Sequence, residues 1–228
     1  YITVADYDKD SDIDFILTGS DRYGNTNAIL YRNDNNWKFT EINANLYKFS
    51  LGNKPQFGDF NNDGLLDLIC GKVYRNDGNN VFTEMKFPEN YDARNTTKFT
   101  DINNDGSLEL IGSGDYGMVI YKYNGIDSFL VNQEVIGCTA SDIADVNGDR
   151  KSDVYSNDYP DAFIFRNQIA ATNNIPNAPS GLTSAIGDSG FFSVTLKWNK
   201  GTDDKTPANG LTYNLRIGTS TGGNQIVS

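Results

Sequence analysis

Histidine is absent from this 228-residue chain, and cysteine and methionine occur only twice each. Without histidine the commonest general base is gone, and with it every His-containing catalytic triad. Two cysteines and no histidine also leave no ordinary ligand set for structural zinc. No Gly-x-Ser-x-Gly elbow, phosphate-binding glycine loop or His-Glu-x-x-His motif is present. Positive charge is scarce: 19 basic residues face 30 acidic ones, for a net charge of −11. That balance excludes the basic face a nucleic-acid binder needs. No apolar run approaches the ~20 residues of a membrane-spanning helix. Cys70 and Cys138 are readable as two buried thiols or as a disulfide of a secreted protein, and both readings stand.

What the chain has instead is an acidic phrase of nine residues written four times. Counting from its first residue as offset 0, offsets 0, 2, 4 and 8 are Asp6, Asp8, Asp10 and Asp14 in the first copy. They are Asp59, Asn61, Asp63 and Asp67 in the second, and Asp101, Asn103, Asp105 and Glu109 in the third. In the fourth they are Asp145, Asn147, Asp149 and Asp153. Alternate hard oxygen ligands on a short loop suit calcium, which takes 6–8 oxygens in flexible geometry. Offset 6 is Asp12, Leu65, Ser107 or Lys151, with no shared side chain, so a backbone carbonyl is the expected ligand there. Gly64 and Gly106 at offset 5 permit a sharp turn with positive φ. Ser11 and Arg150 replace them, so weaker or distorted sites are expected in the first and fourth loops. Arg150 and Lys151 weaken the fourth further by their charge. The spacing differs from an EF-hand, whose bidentate Glu stands at position 12 between helices. Magnesium keeps waters and fits an all-protein cage poorly. The competing account is a set of Asx-turns at hairpins that hold no metal.

The phrase begins at residues 6, 59, 101 and 145, a spacing of one propeller blade. An apolar run follows each copy, from Phe15, Leu68, Leu110 and Val154, and reads as a buried strand. A second element recurs in step: Tyr31-Arg32-Asn33, Tyr74-Arg75-Asn76, Tyr121-Lys122-Tyr123-Asn124 and Phe165-Arg166-Asn167. Asn-Asp-Gly and Asn-Gly there are hairpin-turn chemistry. The set resembles the FG-GAP and VCBS repeat family of integrin-type β-propellers, and Phe57-Gly58 carries the name-giving pair. The resemblance implies an all-β fold with about four blades over residues 1–169, part of a larger propeller. It also implies up to four structural calcium ions, one per loop.

Residues 170–179 are small, polar and proline-punctuated, and read as a linker. Over 180–228, Val194, Leu196 and Trp198 alternate, as do Leu211, Tyr213, Leu215 and Ile217. This part resembles the first half of a fibronectin type III domain, a partial β-sandwich with Trp198 in its core. Taken together, the sequence predicts a calcium-stabilised binding, adhesion or scaffold segment, secreted or at a bacterial cell surface. Calcium loops this short suit extracellular millimolar calcium. Expected partners are a protein or carbohydrate ligand, with other chains or segments completing propeller and sandwich. The acids cluster in the loops, so no catalytic residue is assigned. The alternative is the non-catalytic part of a polysaccharide lyase or hydrolase.

Overall fold

The computed structural model describes residues 1–35, 37–46, 54–88, 98–114, 117–136, 140–158, 161–170, 174–186, 194–206, 211, 213 and 215. Among them every regular element is a strand. The first sheet runs β1 (Ile2–Ala5), β2 (Asp14–Ser20), β3 (Thr26–Asn33), β4 (Phe39–Ile42). The second runs β5 (Gln56–Gly58), β6 (Asp67–Ile69), β7 (Val73–Asn76), β8 (Phe82–Glu84). The third runs β9 (Lys98–Thr100), β10 (Glu109–Gly114), β11 (Gly117–Tyr123), β12 (Phe129–Ile136). A fourth holds β13 (Ala140–Ala144), β14 (Asp153–Asp158) and β15 (Asp161–Phe165). All pairings are antiparallel between chain neighbours, so each sheet is a meander. Each acidic loop joins the first strand of its sheet to the second.

The four sheets pack face to face in chain order, and the period-2 side-chain alternation of a strand decides who meets whom. In β6, Leu68 joins Ile16, Leu30 and Tyr7 of the first sheet in one cluster. Its neighbour Ile69 joins Leu110, Tyr121 and Phe129 of the third sheet in another. Likewise β10 sends Leu110 back to the second sheet and Ile111 on to Val154 of the fourth. A sheet covered on both sides needs apolar residues at consecutive positions. That is why the consecutive Leu68 and Ile69 are both buried. Among the described residues of the first unit, the two end sheets share a core cluster on one side only. On the free side of the first, Phe15 stacks on Tyr31 at 4.8 Å and meets Phe39 at 5.2 Å, while Leu17 and Val4 stand exposed.

One residue in each of the first three loops plugs the next sheet. At offset 1, Tyr7 lies 5.8 Å from Phe82, and Phe60 meets Tyr123 and Phe129, both at 5.0 Å. Ile102 packs into the cluster shared with the fourth sheet, and Val146 is 52% exposed. Gly58 explains its own identity. A Cβ there would lie 2.7 Å from the Phe99 ring and 3.2 Å from Leu108 Cδ1. Gly58→Val should therefore wedge the second and third sheets apart at a cost of about 1–3 kcal/mol, readable as a lowered denaturation midpoint. The same change at Gly19, which has open space around it, should leave this packing alone.

The chain divides into two compact units, Tyr1–Asn173 and Asn174–Ser228. In the second, β16 (Ser180–Ile186) pairs with β17 (Val194–Asn199) in a two-stranded sheet. A strand at Ser180–Ile186 was not anticipated, since Gly181 and Ser184 interrupt its pattern. The expected sandwich is not formed among the described residues. Trp198 is 38% exposed rather than enclosed, and touches Tyr213 edge-on at 5.9 Å. Of the alternating run ending at Ile217, only Leu211, Tyr213 and Leu215 are described. Cys70 is a buried free thiol whose pKa burial pushes up to about 12, and Cys138 lies outside the described residues.

Candidate functional site

All four acidic loops take one backbone path. Offset 3 has positive φ in each: Lys9 at 64°, Asn62 at 58°, Asn104 at 57° and Gly148 at 81°. Offset 5 does as well: Ser11 at 76°, Gly64 at 90°, Gly106 at 85° and Arg150 at 65°. Ser11 and Arg150 thus adopt the glycine conformation, at a steric cost of about 1–2 kcal/mol each. Arg150→Gly should recover about 1 kcal/mol of stability, seen as a raised denaturation midpoint.

The offset 0 acid ties the loop to itself. Asp59 accepts from Asp63 N at 3.1 Å and Gly64 N at 2.8 Å. Asp101 accepts from Asp105 N at 3.0 Å and Gly106 N at 2.9 Å. Asp145 accepts from Arg150 N at 2.8 Å, and Asp6 from Ser11 N at 3.1 Å. The offset 4 acid bends back in turn: Asp63 accepts from Leu65 N, Asp105 from Ser107 N and Asp149 from Lys151 N, at 2.7, 2.9 and 3.1 Å. Asn61 and Asn103 each turn an oxygen to the offset 4 N–H and an amide to the offset 4 carboxylate. Asn147 Oδ1 accepts from Asp149 N at 2.9 Å.

The offset 8 acid does something the sequence did not reveal. It is a buried pin. Asp14, Asp67, Glu109 and Asp153 are 0–1% exposed. Each accepts from the backbone N–H at offset 1: Tyr7, Phe60, Ile102 and Val146. In three sheets its other oxygen accepts from the backbone of the recurrent asparagine, at 2.8 Å for Asn33 and Asn76 and 2.7 Å for Asn167. In the third sheet Asn103 Nδ2 takes that oxygen of Glu109 at 2.9 Å. The in-step recurrence of Asn33, Asn76 and Asn167 was legible as a turn signal, but not as a partner of the loop.

Burial dominates the electrostatics. It lifts the Asp14 carboxyl to about 6, Glu109 to about 7 and Asp67 to about 8, against the pull of their N–H donors. Asp6, Asp8, Asp59 and Asp101 are raised for the same reason. Asp145 is lowered, chiefly by the Arg150 N–H, in a loop that stays exposed. Lys122 reaches Asp105 at 3.4 Å; among the described residues no Lys or Arg forms an ion pair with a carboxylate of the first two loops.

In the first loop, oxygens of Asp6, Asp8 and Asp14 lie within 4.8 Å of one another. Asp6 Oδ1 and Asp8 Oδ1 are buried without a hydrogen-bond partner. Those orphaned, like-charged oxygens fit a hard cation. Asp10 and Asp12 stand outside the group: Asp10 is exposed and its Oδ1 accepts from Asp12 N at 2.9 Å. Leu65, Ser107 and Lys151, candidates through their carbonyls, follow the offset 5 turn in their loops. Lys151 Nζ is turned away from its loop to Ile169 O at 2.5 Å.

Residues 6–70 match the model of the FG-GAP-like repeat. That stretch holds the first two acidic loops and the strand pair β5–β6. Among solved structures, an Agrocybe aegerita lectin, described for specific recognition of non-reducing terminal N-acetylglucosamine, matches at 19% identity with a TM-score of 0.50. The match covers 74% of this chain and 49% of the lectin, so the chain spans about half the lectin's length. At that identity the likeness is one of fold. A Photorhabdus luminescens Tc holotoxin pore also matches, at 21% identity and a TM-score of 0.38, over 73% of this chain and 9% of that one. No curated protein matches. Among the described residues no helix is long and apolar enough to cross a membrane.

Proposed function

We propose that this protein is a calcium-stabilised binding or scaffold segment of a secreted or cell-surface protein, its acidic loops serving as structural cation sites. The observation that carries the reading is the convergence of the Asp6, Asp8 and Asp14 carboxylates within 4.8 Å, together with one buried, partnerless oxygen on each of Asp6 and Asp8. Oxygens of like charge held this close need a positive charge; Arg32 reaches Asp8 only through its field while its guanidinium pairs with Asp34, and among the described residues no Lys or Arg forms an ion pair with these carboxylates. A bound calcium ion would supply it. Asp6, Asp8 and Asp14 would hold the ion in the first loop. Asp59, Asn61, Asp63 and Asp67 are the corresponding donors of the second, and Asp101, Asn103, Asp105 and Glu109 those of the third. Asp145, Asn147, Asp149 and Asp153 are those of the fourth, where exposure and the Arg150 strain weaken the site. Extracellular calcium is the matching supply for loops of this length.

The repeat extends in this reading over residues 1–169 as blades of a larger propeller. The uncovered face of the first sheet supports it. Trp37, 94% exposed, stands where the second sheet has Asn80, and Asn80 receives the Tyr7 hydroxyl of the preceding loop at 2.5 Å. Trp37 and the Phe15–Tyr31–Phe39 stack would meet a preceding blade in the same way. Residues 180–228, with β16 and β17, remain a candidate for part of a fibronectin-like sandwich.

The lectin's fold makes carbohydrate the first ligand class to try, with protein ligands next. An array of glycans probed in millimolar calcium and again in chelator, with a polysaccharide turnover assay beside it, tests the binding role. Calcium-dependent glycan retention without turnover is expected. Turnover abolished by mutating a side chain outside the loops would replace this reading with an enzyme.

A further inference from the structure

Asparagine stands at offset 3 in the second and third loops, where φ is positive. Asparagine tolerates that conformation, but Lys9 and Gly148 adopt it too, so the backbone alone does not demand an amide. The amide is spent on the neighbouring loop. Asn62 Nδ2 donates to Gly106 O at 3.2 Å and Ser107 Oγ at 3.4 Å. Asn104 Nδ2 reaches Arg150 O at 3.5 Å. Both carbonyl acceptors, Gly106 O and Arg150 O, are at offset 5 of the following loop. The peptide beyond each acceptor is held on its other side as well: Ser107 N donates to Asp105 Oδ1 at 2.9 Å, and Lys151 N to Asp149 Oδ1 at 3.1 Å. Asn62 therefore fixes the peptide plane that orients Asp105, a ligand candidate one blade away.

A second set of amides runs the other way. Asn76 Nδ2 donates to Tyr7 O at 3.0 Å, and Asn167 Nδ2 to Ile102 O at 2.6 Å, in each case offset 1 of the preceding loop. The backbone N–H of the same two residues binds the pin carboxylate of their own loop. Every one of these asparagines touches two adjacent loops.

We infer that Asn62, Asn104, Asn76 and Asn167 are positioning residues that couple the loops in series, so that cation binding at one loop raises the affinity of its neighbour. The inference rests on the calcium reading above. Ordering a loop fixes its offset 3 amide, and a fixed amide presents the next loop's turn already oriented. That loop then loses less freedom on binding, which is positive coupling without a change of fold.

Hydrogen exchange of the loop peptides as a function of free calcium tests it in the whole chain. The readout is the calcium midpoint for protection of residues 101–109, with residues 6–14 as internal reference. Asn62→Gly keeps the backbone conformation and removes the amide. It should move the 101–109 midpoint to about three- to ten-fold higher calcium, the worth of one hydrogen bond, and move the 6–14 midpoint much less, since that loop is reached only through the second. Asp63→Asn, which impairs the second loop, should move the 101–109 midpoint similarly. The double variant should move it no further than either single change, because both remove one coupling. If Asp63→Asn leaves the 101–109 midpoint unmoved, or the two effects multiply, the coupling is wrong while the calcium sites stand. Wild-type loops that gain no protection in calcium would overturn both.

Discussion

Calcium added to chelator-treated protein at pH 8 should raise its unfolding midpoint by on the order of 10 °C, and the same addition at pH 5 should raise it far less. A site at about 100 times its dissociation constant adds about 2.7 kcal/mol. Each kcal/mol moves the midpoint of a domain this large by about 2–4 °C. Two loaded loops are enough. The pH dependence comes from the buried carboxyls. Burial raises Asp67 to about 8, Glu109 to about 7 and Asp14 to about 6, all above their ordinary carboxylate values. In chelator the folded form thus holds protons the unfolded chain has released. Its stability is greatest below about pH 4 as far as these groups are concerned, and is lost as pH rises toward about 8. A cation requires the same groups deprotonated, so its gain grows over that window. Calcium should reverse the slope of midpoint against pH, which thermal scans between pH 5 and 8 with and without chelator would read. Parallel slopes would contradict the assignment.

Asp67→Asn should cost about 1–3 kcal/mol in chelator and more in calcium, where a ligand is lost as well, whereas Asp63→Asn should cost stability only when calcium is present. Asp67 is fully buried and accepts from Phe60 N at 3.0 Å and Asn76 N at 2.8 Å. An asparagine offers one acceptor there and turns an NH2 toward a backbone N–H, so a buried donor goes unsatisfied. Asp63 is exposed, and its carboxylate serves only its own loop. Urea denaturation of both variants in calcium and in chelator separates pin from ligand. An Asp67→Asn cost that vanishes in chelator would mean that offset 8 acts as a ligand first and a pin second.

The four sheets of the first unit were readable because their signals are local. A buried strand after each loop, an Asn turn after the next, and a fixed period are all properties of a few adjacent residues, and β2, β6, β10 and β14 begin at the offset 8 acid of each phrase. The pin was not readable, because in three of the sheets it needs one backbone N–H from the loop and a second from an asparagine 9, 14 or 19 residues farther along, which only the folded sheet brings together. Oxygen donors at offset 8 look the same in sequence whether they face a cation or an amide. Asn62 was hidden for a similar reason: its partner Gly106 is 44 residues away, and only stacking of sheets brings them together. In the second unit, alternation correctly marked Val194 to Trp198 as a strand. It carried no information on what would cover that strand, and Trp198 stands partly exposed.

The most direct test of the central claim is a calorimetric titration of calcium into chelator-treated protein at pH 8. The expected result is saturable binding of between about two and four ions per chain, with magnesium a poor competitor. Variants Asp6→Asn and Asp8→Asn should each remove one site. Heats no larger than dilution up to about 10 mM calcium would contradict the account, because that range spans the affinities known for extracellular calcium modules.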